Sequence, residues 1–193
     1  MPSITTVAIQ SLILKGTANV TAQLVAQHRF VAGEGATPPP FDWARVAEFA
    51  LYGFVQGHIN FWWQHFLEGM FPTTNAKRRR LIGGEDDGGS GSRGSLSYRN
   101  LFGKVVVDQT LGLLIMNTTF LTITNVFRLR NLFLILEVIQ TKIFKIIFTA
   151  WKVWPVVACL NFALFPVTWR PIVAATVGFL WTMYLTFFVA ANF

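Results

Sequence analysis

From position 151 to the end the chain reads WKVWPVVACLNFALFPVTWRPIVAATVGFLWTMYLTFFVAANF, with Lys152 and Arg170 as its only charged side chains. Residues 172–191 are about 20 consecutive apolar or weakly polar positions, which at about 1.5 Å per residue cover a hydrocarbon layer of about 30 Å. The pattern predicts a membrane span there, so the rest of the chain is read in lipid. Just before it, Pro155, Pro166 and Pro171 each lack a backbone donor, which predicts a short half-helix over 156–168 broken at both ends, with Arg170 at the second break. Carbonyls freed by such breaks must be satisfied by protein, by a water-filled cavity or at the interface. Trp151, Trp154 and Trp169 fit an interfacial aromatic belt.

Residues 4–27 form a moderately apolar helical pattern carrying polar side chains at Lys15, Asn19, Gln23 and Gln27. Four-residue steps drift only about 40° each, so this series keeps to one broad face. Two uses of that face stand open, hydrogen bonding between helices or the lining of a pore. Glycines and three consecutive prolines over 29–41 exclude helix, and Asp42 stands where an N-cap is expected. A second helix is predicted over 43–70, where Glu48, Tyr52, Gln56, Asn60, Gln64 and Glu68 again recur every fourth residue. Over five steps the drift reaches about 200°, so this stripe spirals and must change neighbours along its length. Its middle is expected to face a polar axis, and Gly53 and Gly57 permit close approach of another helix.

Residues 73–100 are Gly-, Ser- and charge-rich after the basic run 77–80, and are read as a disordered loop. A third span is predicted over 104–127. Asp108 and Gln109 lie about one turn inside it, followed by Gly112, and a carboxylate at that depth needs a partner. Arg170 is the expected partner, with Lys104 as local competitor. Asn117, Thr118, Thr119, Thr122 and Thr124 put polar groups all round this helix. Residues 128–150 carry Glu137, Lys142 and Lys145; residues 140–153 are read as an interfacial amphipathic helix, with a straight fourth span as the alternative. The two basic clusters fall on opposite sides of a four-span arrangement, so they do not decide orientation.

These elements add up to an all-α integral membrane protein with about four transmembrane helices, an interfacial amphipathic helix and a proline-broken C-terminal half-helix. Composition agrees: 193 residues, 53% hydrophobic, mean hydropathy +0.48 describe one polytopic domain over 1–193. The charge of +7 comes from clusters beside apolar runs, which points to anionic lipid headgroups rather than nucleic acid. Cys159 is the single cysteine, so no intrachain disulfide framework is possible. His28, His58 and His65 have no metal-ligand spacing, and no nucleophile, phosphate loop or carboxylate pair is evident. No enzyme activity, cofactor or metal is expected. The first basic residue is Lys15 and the chain ends Ala-Asn-Phe, so any organellar address is expected to be internal.

The residues Trp151-Lys152-Val153-Trp154-Pro155, Asn161-Phe162, Pro166-Val167 with Arg170, then Trp181 and Tyr184-Leu185 resemble the C-terminal signature of a family of organelle membrane proteins. That family is typified by the 22-kDa peroxisomal membrane protein and the mitochondrial inner-membrane protein Mpv-seventeen. Earlier blocks are similar too: Gly16, Asn19 and Gln23, where Asn19 replaces the family's acid in a fungal-type manner; the segment around Trp63, where His58 and Ile59 replace an expected proline; and Asp108-Gln109 with Gly112. The resemblance implies a mitochondrial inner or peroxisomal membrane and a weakly selective channel for small solutes, with a non-conducting scaffold or organelle-sorting protein as the alternative. In that reading Lys15, Asn19, Gln23, Gln56 and Asn60 are candidate pathway residues, and Asp108 with Arg170 a structural or gating pair. The expected partners are the bilayer, its anionic headgroups and a second copy of the chain.

Overall fold

Six helices form among the described residues, which in this computed structural model are 3–32, 40–73 and 97–184. They are α1 (Ile4–Ala32), α2 (Trp43–Met70), α3 (Tyr98–Leu129), α4 (Leu132–Ala150), α5 (Trp154–Leu164) and α6 (Arg170–Tyr184). The start and stop signals are local. Asp42 caps α2 by accepting from the Arg45 amide at 2.9 Å, and Asn131 caps α4 by accepting from the Phe133 amide at 2.9 Å. Arg130 takes a left-handed φ of 48° between α3 and α4, the conformation that ends a helix before a tight reversal. Pro155 occupies the first turn of α5, where its missing donor costs nothing.

The antiparallel pairing of α1 and α2 is set by two glycines. A Cβ on Gly53 would fall 2.9 Å from the Ser11 carbonyl carbon, and one on Gly57 2.7 Å from Ala8 Cα, so only a bare backbone fits at either crossing. From this pair the helices close a ring: α1 packs on α2, α2 on α3, α3 on α5, α5 on α6, and α6 back on α1. The fourth helix lies against the C-terminal half of α3.

Three expectations change. The third helix begins at Tyr98, not near 104, because Ser97 donates to the Thr73 carbonyl (3.0 Å) and Asn100 to that of Pro72 (2.9 Å), tying its start to the end of α2; of the predicted loop, residues 74–96 lie outside the described residues. The helix expected over 140–153 has other bounds, starting at Leu132 and ending at Ala150. One helix runs over Leu132–Ala150 and buries Ile143 and Ile147 against Leu121 of α3, because those isoleucines repeat at helical spacing opposite its charged positions. Four spans are not reached by composition either. Among the described residues one helix, α3, is long and apolar enough to cross a membrane. The predicted span over 172–191 is described only as far as Tyr184.

The arrangement is inside-out relative to a water-soluble bundle. Trp62 (66% exposed), Phe102 (72%), Phe133 (81%) and Val156 (64%) project outward from α2, α3, α4 and α5, while Lys104 (0%) and Arg170 (2%) are sealed inside. Contiguous apolar surface on this scale suits lipid, not water.

Candidate functional site

Inside the ring lies a cavity of about 540 Å³ to which all six helices contribute. Its walls hold Ser11 and Lys15 from α1, Tyr52, Gln56, Asn60, Trp63 and Gln64 from α2, Asp108, Gln109, Gly112 and Asn117 from α3, Lys145 and Thr149 from α4, Trp154 and Asn161 from α5, and Gly178, Trp181 and Thr182 from α6. The spiral stripe of α2 explains how one helix serves three surroundings. At its start Glu48 accepts from Arg128 Nε of α3 (3.1 Å). In its middle Tyr52, Gln56, Asn60 and Gln64 face the cavity, and at its end buried Glu68 meets two cations.

Those cations are Arg170 and Lys104. The Arg170 guanidinium donates from Nη1 to Glu68 Oε2 at 2.7 Å, from Nη2 to Thr73 Oγ1 at 3.0 Å, and from Nε and Nη2 to the carbonyls of Phe165 (3.0 Å) and Phe162 (3.2 Å). The last two are carbonyls that the break after α5 leaves without helical donors, so Arg170 satisfies them inside protein, as a break at this depth requires. Lys104 Nζ pairs with the same Glu68 oxygen. The face of Phe162 lies 5.4 Å from Arg170 Cζ and 5.7 Å from Lys104 Nζ, adding a cation–π contact to each.

Asp108 and Arg170 therefore do not pair. Asp108 Oδ1 accepts from Trp63 Nε1 and its Oδ2 from Gln109 Nε2, both at 2.9 Å, while the guanidinium is spent on Glu68. The helix widens here into one π-turn, Asp108–Gly112, a distortion typical of functional sites. Gly112 gives the indole room: a Cβ there would lie 3.0 Å from Trp63 Nε1. Across the turn Trp151 Nε1 donates to the Gln109 carbonyl at 2.8 Å, and Trp154 lines the cavity, so neither works solely as a membrane-interface anchor.

Of the predicted pathway residues, Lys15, Gln56 and Asn60 line the cavity; Asn19 and Gln23 do not. Gln23 donates to Asn19 Oδ1 (2.8 Å) and to the Asp42 carbonyl (3.0 Å), and accepts from the Asp42 amide (2.7 Å). That end of the α1 polar face is the interhelical hydrogen-bonding alternative made real, fastening the start of α2. Gly16 faces Ala50 of α2 at contact distance. Asn161 donates to the Arg170 carbonyl (3.1 Å) across the α5–α6 break, and Pro166 sits in that turn. Trp181 is in the cavity wall, and Tyr184 is the last described residue of α6. His58 and His65 bond the carbonyls of Phe54 and Phe61 in their own helix, and no metal-binding group occurs among the described residues. Glu68 is the residue the sequence reading missed as a site residue, although it stood at the end of the α2 stripe.

Three buried side-chain oxygens have no donor among the described residues: Gln64 Oε1, Gln109 Oε1 and Asn161 Oδ1. All three belong to cavity-wall residues. Buried acceptors of this kind are ordinarily satisfied by water or by a ligand.

Residues 125–186 match the Mpv17 / PMP22 family. The chain is also 22% identical over 145 residues to PXMP2/4 family protein 3 of Dictyostelium discoideum, an alignment covering 75% of this chain and 67% of that protein. No solved structure matches. Trp151, Trp154, Pro155, Asn161, Pro166, Arg170 and Trp181, which build the α5–α6 break and one wall of the cavity, all fall inside the segment that is similar to the Mpv17 / PMP22 family.

Proposed function

We propose that the chain is a multi-pass organelle-membrane protein whose cavity is the wide part of a weakly selective pathway for small solutes. The observation that carries this reading is the cavity itself, about 540 Å³ of space whose largely apolar wall carries Lys15, Gln56 and Asn60 among its polar groups, bounded by helices whose outer faces are apolar. A volume in that range accommodates a small metabolite. The resemblance to mitochondrial and peroxisomal members supports an organelle membrane, and Asn19 in place of the family's acid supports a fungal-type branch. Anionic headgroups at the basic clusters and assembly with a second copy belong to the same reading.

Purified full-length chain reconstituted in planar bilayers and in solute-loaded vesicles tests it. Conductance and solute efflux are expected, and both should fall when Gln56 and Asn60 are replaced together by Leu. Folded protein that leaves bilayers silent and vesicles sealed would reject the pathway in favour of a non-conducting scaffold, a reading to which the structural use of Asn19 and Gln23 lends itself.

A further inference from the structure

We infer that the cavity prefers an elongated dipolar solute, an amino-carboxylate whose two charges are several bonds apart, with its ammonium on the orphan carbonyls and its carboxylate at the lysines. This rests on the pathway reading and gives that pathway a chemical preference.

The acceptor end is built. Gln109 Nε2 faces the Asp108 carboxylate at 2.9 Å, and Asn161 Nδ2 faces the Arg170 carbonyl at 3.1 Å. Each amino group already points at an acceptor, so the two amides are held in one orientation and the oxygens are the atoms left over. Gln64 supplies the third oxygen. These side chains belong to residues only 4%, 7% and 4% exposed (Gln64, Gln109 and Asn161), and all three oxygens are without donors among the described residues. Beside them Asp108 accepts two hydrogen bonds and keeps further lone pairs. Three carbonyls and a carboxylate with no ion pair among the described residues call for a compact group rich in donors and positively charged, and an ammonium brings three donors.

The opposite end has the opposite need. Lys15 Nζ sits over the Tyr52 ring at 5.7 Å, and neither Lys15 nor Lys145 has an ion pair among the described residues. The two ends lie at different depths. Tyr52 and Gln64 are 12 residues apart on α2, about 18 Å along the axis. The same offset recurs on α3, where Phe120 meets Tyr52 at 5.1 Å and Asp108 meets Trp63. Lys145 precedes Trp151, the residue bonded to Gln109, by six positions, about 9 Å of helix. Leu113 and Met116 also line the cavity. A short α-amino acid cannot touch both ends, whereas a methylene chain with a charge at each terminus can.

The test uses the full-length chain in nanodiscs and, in parallel, in vesicles. Calorimetry compares 6-aminohexanoate with glycine, hexanoate, hexylamine and 1,6-hexanediol, and vesicle efflux is followed for erythritol and 6-aminohexanoate. Binding of 6-aminohexanoate is expected to be roughly ten-fold or more tighter than that of each comparison compound, the effect of one charge-assisted hydrogen bond. Lys15→Met should erase the advantage over hexylamine, and Asp108→Asn the advantage over hexanoate. Lys15 holds no hydrogen bond among the described residues, so its variant should melt like the parent; Lys145→Met, at an exposed wall position, is the second variant should it not. Equal binding of all five compounds, or an advantage indifferent to the Lys15 and Asp108 changes, overturns the preference, and the pathway still stands if erythritol escapes. Binding as expected in vesicles that leak nothing removes the pathway and leaves a dipolar-ligand site.

Discussion

Arg170 and Glu68, 102 residues apart in sequence, meet at 2.7 Å in a site from which solvent is nearly excluded. The contact joins the end of α2 to the break between α5 and α6, and Lys104 of α3 shares the same carboxylate. One acid thus holds three segments of the ring together beneath the cavity.

Glu68→Gln should therefore be among the most damaging single changes in the chain. It leaves two buried cations facing a neutral amide, and stranding a buried charge costs about 3–5 kcal/mol. Asp108→Asn strands no cation and can still accept from Trp63, so its cost should be about 1 kcal/mol, near that of one hydrogen bond. Thermal unfolding of both variants in one detergent checks the order. A Glu68 variant as stable as the Asp108 variant would show that the cluster does not hold the fold.

The α1–α2 crossing offers a glycine comparison within one helix. At Gly57 a methyl group would press on Ala8 Cα at 2.7 Å, backbone against side chain, whereas nothing lies within 4 Å of the same position at Gly69. Gly57→Ala should lose about 1–3 kcal/mol through forced separation of the helices, and Gly69→Ala should gain up to about 1 kcal/mol from helix propensity. Circular dichroism melts distinguish these outcomes, and similar melts for both would mean that the crossing is looser than the contact distances indicate.

How much of this was legible beforehand depends on the kind of information each feature carries. Helix content, the glycine crossing and the proline-framed half-helix follow from local rules, because a spacing or a missing N–H acts wherever it occurs. The drift of the α2 stripe also showed that its two ends must meet different neighbours. Partner identity was not legible. A carboxylate inside a span needs a partner, which points from Asp108 to Arg170 or Lys104, yet both cations go to Glu68, at the far end of the stripe. The Asn19 and Gln23 positions show the same limit: periodicity places an amide on a face, and only packing decides whether that face meets a cavity or the backbone of the next helix.

Outside the helical ring, Asp42 gives a pH dependence with a definite sign. The Arg45 amide and then the Arg128 guanidinium, 3.0 Å from Oδ2, hold its carboxyl below the ordinary value of 3.8. A carboxyl with a depressed folded pKa contributes stability that is complete above its unfolded pKa and is lost as pH falls through the folded one. Stability should thus be flat from neutral pH down to about pH 5 and decline below about pH 4. Asp42→Asn keeps an N-cap of equal quality but has no charge to titrate, so its acid-side decline should be shallower. Parallel declines for the two proteins in unfolding melts between pH 3 and pH 7 would assign the acid sensitivity to other carboxylates.

The sharpest separation of structure from transport lies between two amides that both belong to the polar faces of α1 and α2. Gln23 makes three bonds at the α1–α2 junction, two of them with the backbone of Asp42, and contributes nothing to the cavity wall. Asn60 lines the cavity and accepts one long bond, 3.4 Å, from Gln64. Gln23→Leu removes a donor and an acceptor that two part-buried backbone groups depend on, so stability should fall by about 1–3 kcal/mol. Flux per folded molecule should stay at the parental level. Asn60→Leu loses one weak bond and places an apolar side chain of similar size against the solute path, so stability should change by less than about 1 kcal/mol while efflux of neutral and charged solutes falls. Efflux normalised to folded protein, measured beside a melt on the same samples, gives both quantities. If Gln23→Leu lowered normalised efflux and Asn60→Leu did not, the solute path would have to run along the α1 face near Asn19, and the cavity inside the ring would be a buried pocket with no part in passage.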